Sequence, residues 1–381
     1  MRGAHVLLKI WKLNYMSGSF TIISKGVSST QYISVEVVVE KSDSIVVWGG
    51  GAIGGVVAAK LAQAGHPVVL VDIARDHVDA IRKHGLEMID AQGTSTFTPL
   101  MAVTPDELSG TFGRIMLAVK GQHTAQACAA LRPHLAEQGW VLALQNGLTE
   151  FTIADSVGPA RTIGALVNFA SDYVGPGRIQ FGGQGSLQVG ELDGSDSPRS
   201  QEAARLLQCV DPNAAWTGRL LGFKWSKVAL GSLLFTTALN NETIVEQLSN
   251  PHYAPLWRAL CIEVVEVARA NGVEPAPFDG FHPDAFTRDV PLERSAQQVQ
   301  AIADCCRRWV GKPRTGVWRD LAVRKRPTEV DPQMTDIVKH GATHGIETPT
   351  VRALIAAIRE MEQGKRDFGR ANLDSLMAGV A

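Results

Sequence analysis

The stretch Ile45-Val46-Val47-Trp48-Gly49-Gly50-Gly51-Ala52-Ile53-Gly54-Gly55 decides the fold. A short apolar run stops at a glycine cluster, and Val56 to Ala64 then has helical composition, so the segment reads as strand, glycine turn, helix. Within this GxGxxG pattern Gly49 permits the tight turn, Gly51 lets backbone approach a pyrophosphate, and Gly54 lets the helix pack closely on the strand. Ala52 and Ile53 complete the turn, leaving helix N–H groups aimed at the phosphates. The unit runs on through Gly65-His66 into a second apolar strand, Val68-Val69-Leu70-Val71, which ends at Asp72. A complete βαβ unit is the context in which such a turn binds a dinucleotide.

Asp72 lies 23 residues after Gly49. A carboxylate there accepts hydrogen bonds from an adenosine ribose and repels a 2′-phosphate, which favours NAD over NADP. Arg75 stands close enough in sequence to reverse that choice by pairing with a phosphate. Further strands are expected at Arg114 to Val119 and Trp140 to Leu144 with a helix over Gln122 to His134 between them, which makes a doubly wound parallel sheet. At the carboxyl ends of those strands, where open α/β sheets place their ligands, stand Lys120 and Asn146. A lysine there meets cofactor or substrate charge, and an asparagine orients a carboxamide or carbonyl.

Ile163 to Glu191 is rich in glycine and alternating residues and reads as short strands closing the sheet. Helical patterns dominate afterwards, over Ser197 to Cys209, Phe223 to Asn241, Pro255 to Asn271, Ala296 to Val310 and Glu329 to His344, with the turn at Gly218 to Gly222 as the boundary. The expected organisation is an extension over 1–43, a dinucleotide-binding domain over 44–218 and a helical substrate domain over 219–381. Lys227 precedes 14 residues without charge, Val228 to Asn241. A lysine at the mouth of a dry cleft has its pKa lowered and serves as a proton donor, whereas the plainer reading lets its stem lie on apolar surface with the ammonium in water.

Composition sets the outer limits. The chain has 381 residues, 37 Lys plus Arg against 38 Asp plus Glu and a net charge of -1, so no broad positive field exists to hold nucleic acid. Hydrophobic content of 45% with 20% charged residues is that of a folded globular protein. No uncharged apolar run is long enough to span a membrane. Five scattered cysteines show no metal-ligand spacing and read as buried thiols of a reducing compartment, so no metal is expected and the cytoplasm is the expected location. The adjacent Cys305 and Cys306 leave a redox switch as the lesser reading. Met1 to Met16 is basic with Lys9 interrupting its apolar run, unlike a signal peptide. Phe20 to Val39 reads as extended, and residues 1–43 as a whole are expected to be unstructured, or to follow an upstream start.

GGGAIGG, LAVKG, LQNGL, FKWSKVALG and RDLAVRKRPTEVD, in that order between Ser44 and Arg366, resemble the ketopantoate reductase (2-dehydropantoate 2-reductase) family. The resemblance implies a Rossmann domain followed by an all-helical domain, reduction of the ketone of a 2-keto acid, and a nicotinamide cofactor, typically NADPH. It implies Lys227 as the catalytic lysine, Glu329 as a substrate-binding glutamate, and Lys120 and Asn146 as the cleft lysine and asparagine. The chain also departs from the family. Gly231 and Phe235 stand where members usually carry asparagines on one helix face, the family's serine falls on Gly316 beside Thr315, and Asp72 replaces the usual arginine. These positions make Asn146, Gly231, Phe235 and Thr315 the expected substrate wall, with Arg314, Arg319 or Lys325 as the carboxylate clamp. A reductase or opine-type dehydrogenase for a more apolar ketone, and a nucleotide-sensing regulator without turnover, are the alternatives. A homodimer is left open.

Overall fold

The computed structural model describes residues 15–16, 19–25, 30–35, 43–307 and 313–380. Strands of its central sheet are numbered here in chain order: β1 Ile45–Trp48, β2 Val68–Val71, β3 Met101–Val103, β4 Phe112–Leu117, β5 Leu135–Ala143, β6 Thr162–Val167, β7 Leu187–Gly190 and β8 Ala215–Trp216. In space they run β3-β2-β1-β4-β5-β6-β7-β8. The first six pair in parallel, β7 is antiparallel to β6, and β8 is parallel to β7. The order reverses between β1 and β4, and there the carboxyl ends of the strands open a crevice.

Parallel strands are covered on both faces, so their sequences are apolar without a break. β1 shows how the pleat divides them: Ile45 and Val47 join the core on one side of the sheet with Val56, Leu61 and Leu70, while Val46 and Trp48 join the other with Ile115, Leu131 and Ile153. Helix α1, Ala52–Gln63, follows β1 directly and buries Val56, Val57 and Leu61.

Ile163 to Glu191 does not all close the central sheet as expected. Only β6 and β7 do so; Ala170–Gly175 and Arg178–Gly183 form a hairpin that pairs with Leu86–Ile89 and Ser95–Thr98 as a separate four-stranded sheet. The tight turn at Gly175-Pro176-Gly177, with Gly177 at φ 69°, turns the chain back before it can return to the main sheet.

The second half is helical: α2 Leu220–Thr236, α3 Ala254–Ala270, α4 Leu292–Cys306, α5 Gly316–Ala322, α6 Val330–Thr343 and α7 Pro349–Glu362. Its core gathers Trp225, Leu233, Trp257, Leu260, Phe286, Met334 and Leu354. The turn expected over Gly218 to Gly222 ends at Arg219, because Gly222 lies inside α2, where a Cβ would stand 2.6 Å from the Glu274 carbonyl oxygen. α2 also stops before Asn241: Thr236 and Thr237 bond back to the Leu233 and Leu234 carbonyls, and the Asn240 side chain accepts from Glu242 N, which turns the chain.

Within the extension, Tyr15–Met16, Ser19–Lys25 and Thr30–Val35 pair as an antiparallel three-stranded sheet, which differs from the unstructured segment expected there. The rest of 1–42 and the end of the helix expected over Ala296 to Val310 lie outside the described residues.

Candidate active site

The glycine turn has the shape a dinucleotide needs. Gly49 adopts φ 104°, and a Cβ there would press within 2.8 Å of Val119 N; at Gly54 it would lie 1.9 Å from the Gly49 carbonyl oxygen. At Gly51 it would meet nothing within 4 Å, so the backbone faces open space at the start of α1. This open cradle, with N–H groups of the first helical turn behind it, fits a pyrophosphate.

Asp72 braces the same turn. Its Oδ2 accepts from Gly50 N at 2.6 Å and its Oδ1 from Ala74 N at 2.9 Å. Each carboxylate oxygen keeps a further lone pair for a ribose hydroxyl. His77, which sequence reasoning missed, completes the brace from a buried position: Gly177 N donates to its Nδ1 at 2.8 Å, so its Nε2 carries the hydrogen given to the Gly50 carbonyl at 2.9 Å. The signal for it was the middle glycine of the cluster, since a Cβ on Gly50 would stand 2.9 Å from the His77 Nε2.

From this turn a cleft of about 580 Å³ runs between the carboxyl ends of the sheet and helices α2, α5 and α6. Gly49, Gly51, Ala52, Ile53, Asp72, Lys120, Asn146, Lys227, Gly231, Phe235, Thr315 and Glu329 all line it. Gly54 does not, because its place is the packing of α1 on the turn. Arg75 does not either: it points along the outer face to Asp106 at 3.7 Å and Glu107 at 3.3 Å. Of the three candidate clamps, Arg319 lines the cleft and pairs with Asp172 at 2.7 Å. Arg314 instead lies over the Trp318 ring, and Lys325 is exposed outside the cleft.

Charged groups link the two halves across the cleft. Lys120, just beyond β4, reaches over to pair with Asp320 of α5, 200 residues away. Asp320 is buried and also takes Arg326 at 2.9 Å and Arg324 at 3.3 Å. Glu329, the residue before α6, accepts from Gly121 N at 3.1 Å and lies 3.9 Å from the Lys120 ammonium. Thr315 caps α5, its hydroxyl accepting from Trp318 N at 3.2 Å. Asp172, Arg324 and Arg326 were not among the expected residues. Asp172 comes from a hairpin with no motif, and Arg324 and Arg326, although they lie within RDLAVRKRPTEVD, are brought to Asp172 and Asp320 only by the tertiary fold.

Lys227 projects from α2 and donates to the Val167 carbonyl at the end of β6. The residue is half-buried, at the cleft. The fully buried lysine is Lys224, one turn earlier, which pairs with Glu150 at 2.7 Å and donates to the Gln145 carbonyl at 2.7 Å. The difference lies along the helix axis: Lys224, nearer the start of α2, meets the buried Glu150 carboxylate and the Gln145 carbonyl, whereas Lys227, Gly231 and Leu234 further along line the cleft.

Among the described residues no cluster of His, Cys, Asp and Glu can hold a metal ion, and no helix is long and apolar enough to cross a membrane. Cys128, Cys261 and Cys306 are buried, Cys209 and Cys305 half-buried, and none forms a disulfide.

The family model described as ketopantoate reductase PanE/ApbA matches residues 45–194, and its C-terminal counterpart matches residues 220–362. The chain is 26% identical over 341 residues to a 2-dehydropantoate 2-reductase of Mesorhizobium japonicum, covering 83% of this chain and 97% of that protein. To the 2-dehydropantoate 2-reductase of Pyrococcus abyssi it is 26% identical over 330 residues, covering 84% and 99%. Among solved structures it superimposes on D-mandelate dehydrogenase with NADH and anilino(oxo)acetate with a TM-score of 0.72 at 20% identity, covering 84% of this chain and 99% of that one. Two family models that divide the chain as its sheet and helices do, and a cleft joining them, make this protein a member of the ketopantoate reductase PanE/ApbA family, an oxidoreductase acting on a CH–OH/C=O group with NAD(P)H.

Proposed function

We propose that the chain reduces the ketone of a 2-keto acid to the 2-hydroxy acid, with residues 44–218 as the cofactor half and 219–381 as the substrate half. The observation that carries this is convergence: the open glycine cradle, Lys120, Asn146, Lys227 and Glu329 line one cleft although they come from both halves of the chain. The nicotinamide cofactor supplies hydride when bound. The glycine turn and the first turn of α1 hold its pyrophosphate, and Asp72 its adenosine ribose.

Lys227 does the proton work. The Val167 carbonyl holds its ammonium at the floor of the cleft, where it hydrogen-bonds the ketone oxygen and gives up a proton as negative charge grows there. The ketone carbon gains two electrons with the hydride, the oxygen gains the lysine's proton, and solvent restores that proton. Glu329 and Asn146 orient the substrate, and Arg319 receives its carboxylate.

The cofactor preferred is NADH. Asp72 is fixed at the cleft wall as an acceptor, which suits ribose hydroxyls and opposes a 2′-phosphate, while Arg75 is turned away to Asp106 and Glu107. Oxidation of NADH and NADPH, followed with a panel of 2-keto acids, tests the activity. Failure of every 2-keto acid to stimulate oxidation, with cofactor binding intact, would remove it.

A further inference from the structure

We propose that the cleft beyond Lys227 is an apolar side-chain subsite, so that the preferred substrate is a 2-keto acid with an aromatic or branched aliphatic side chain rather than a hydroxylated one. This rests on the reading that the chain reduces 2-keto acids, and narrows it.

The stripe of α2 that carries Lys227 continues with Leu230, Gly231, Leu234 and Phe235, spaced to lie along one helix face, and all line the cleft. Ile244 and Val317 line it as well. Neighbouring polar side chains are engaged by the protein itself. The Thr315 hydroxyl caps α5, Asn240 bonds Glu242 at 3.2 Å through its Nδ2, and the Asn241 Oδ1 accepts from Trp318 Nε1 at 3.2 Å. Arg319 and Asp320 stand one turn further along α5 than Gly316 and Val317, so the lining changes from apolar to charged along a single helix.

There is also room. A Cβ on Gly231 would meet only the Met334 Cε, at 3.7 Å, and one on Gly316 would meet nothing within 4 Å. A side chain placed in this space loses its water. An apolar group gains by that transfer, whereas a hydroxyl with no partner loses its hydrogen bonds. An apolar pocket rejects a hydroxylated near-isostere by about a hundredfold at most, so the preference should be clear but not absolute.

The test compares kcat/KM for phenylglyoxylate, 4-methyl-2-oxopentanoate and ketopantoate, whose side chain ends in a hydroxyl, at saturating cofactor. One of the two apolar acids should exceed ketopantoate by about tenfold or more. Gly231→Asn fills the open space and adds an amide, and should lower the apolar acids' kcat/KM by about tenfold while raising ketopantoate relative to them. Should that variant fail to fold, Gly231→Ala adds a single carbon at an uncrowded position, and the wild-type comparison stands without either. Ketopantoate turned over as well as or better than the apolar acids overturns the inference and leaves the reductase reading in place. No turnover of any 2-keto acid by a protein that binds cofactor overturns both.

Discussion

Lys224 and Glu150 form an ion pair, 2.7 Å apart, that is sealed beneath the cleft, with side-chain exposures of 1% and 0%. The lysine also donates to the Gln145 carbonyl, the peptide group just before Asn146. One turn along the same helix stands Lys227. The pair thus ties α2 to the exit of β5 and sets the positions of two cleft residues relative to each other. Burial pushes the Glu150 carboxyl above its ordinary value and the Lys224 ammonium pulls it back. Such pairs seldom add net stability over an apolar core, but breaking one leaves an uncompensated buried charge or donor.

Lys224→Met and Glu150→Leu should each destabilise the fold by about 3–5 kcal/mol, and the double variant by clearly less than their sum. Denaturant unfolding of the four proteins measures this. Additive losses would mean that the two groups do not act as a pair.

Lys227→Ala should lower kcat by about a hundredfold or more with the cofactor dissociation constant near wild type, since the role proposed for it is in proton transfer. Glu329→Gln keeps an oxygen for Gly121 N but loses the charge beside Lys120, so kcat/KM should fall while the fold persists. Steady-state kinetics and cofactor titration of both variants check this, and turnover of Lys227→Ala within a few fold of wild type would exclude it from the chemistry.

Asp72→Ala should raise the efficiency of NADPH relative to NADH, and Arg75→Ala should change neither appreciably, because Arg75 is engaged with Asp106 and Glu107 outside the cleft. Comparing kcat/KM for both cofactors on wild type and the two variants decides the assignment. A wild-type preference for NADPH above tenfold, about 1.4 kcal/mol, would reverse it.

His77→Ala leaves the Gly50 carbonyl and Gly177 N without their partner, and should weaken binding of NADH and NADPH alike by about tenfold through a looser turn. Fluorescence titration with both cofactors reads the effect. A change confined to one of them would point to the adenosine ribose instead of the turn.

Burial pushes the Cys128 thiol up to about 11 and also raises that of Cys261. Both stay protonated in the folded state at mildly alkaline pH, so a disulfide reagent at about pH 8 should spare them until the protein unfolds. The linkage has a definite sign. For Cys128, folded-state protonation supports stability fully below the ordinary value of 9.0, and that contribution is lost as pH rises through about 11. Unfolding curves across this window should show declining stability, reduced in Cys128→Ala.

How far the sequence could be read depended on the distance over which each signal acts. The βαβ unit was legible because strand, glycine turn and helix are contiguous: the strands expected at Ile45 to Trp48 and Val68 to Val71 are β1 and β2 to the residue. α7 was equally legible and went unread, with Val351, Leu354, Ile355 and Ile358 at helical spacing. The second sheet was not legible, since Leu86–Ile89 and Arg178–Gly183 pair across some ninety residues without any local mark of it.

By itself, then, the sequence determined the dinucleotide fold and the glycine cradle, and it singled out Lys120, Asn146, Lys227 and Glu329, which all line the cleft. Each rests on a short motif whose conformation is set by its own residues. Only the tertiary structure decided that Lys224 is buried while Lys227 faces the cleft, that Lys120 meets Asp320, and that Asp72 and His77 hold Gly50 from its two sides. α2 is apolar around most of its circumference, so hydrophobic periodicity does not orient it. Packing against β5 and β6 chooses which lysine meets Glu150 and which faces the cleft.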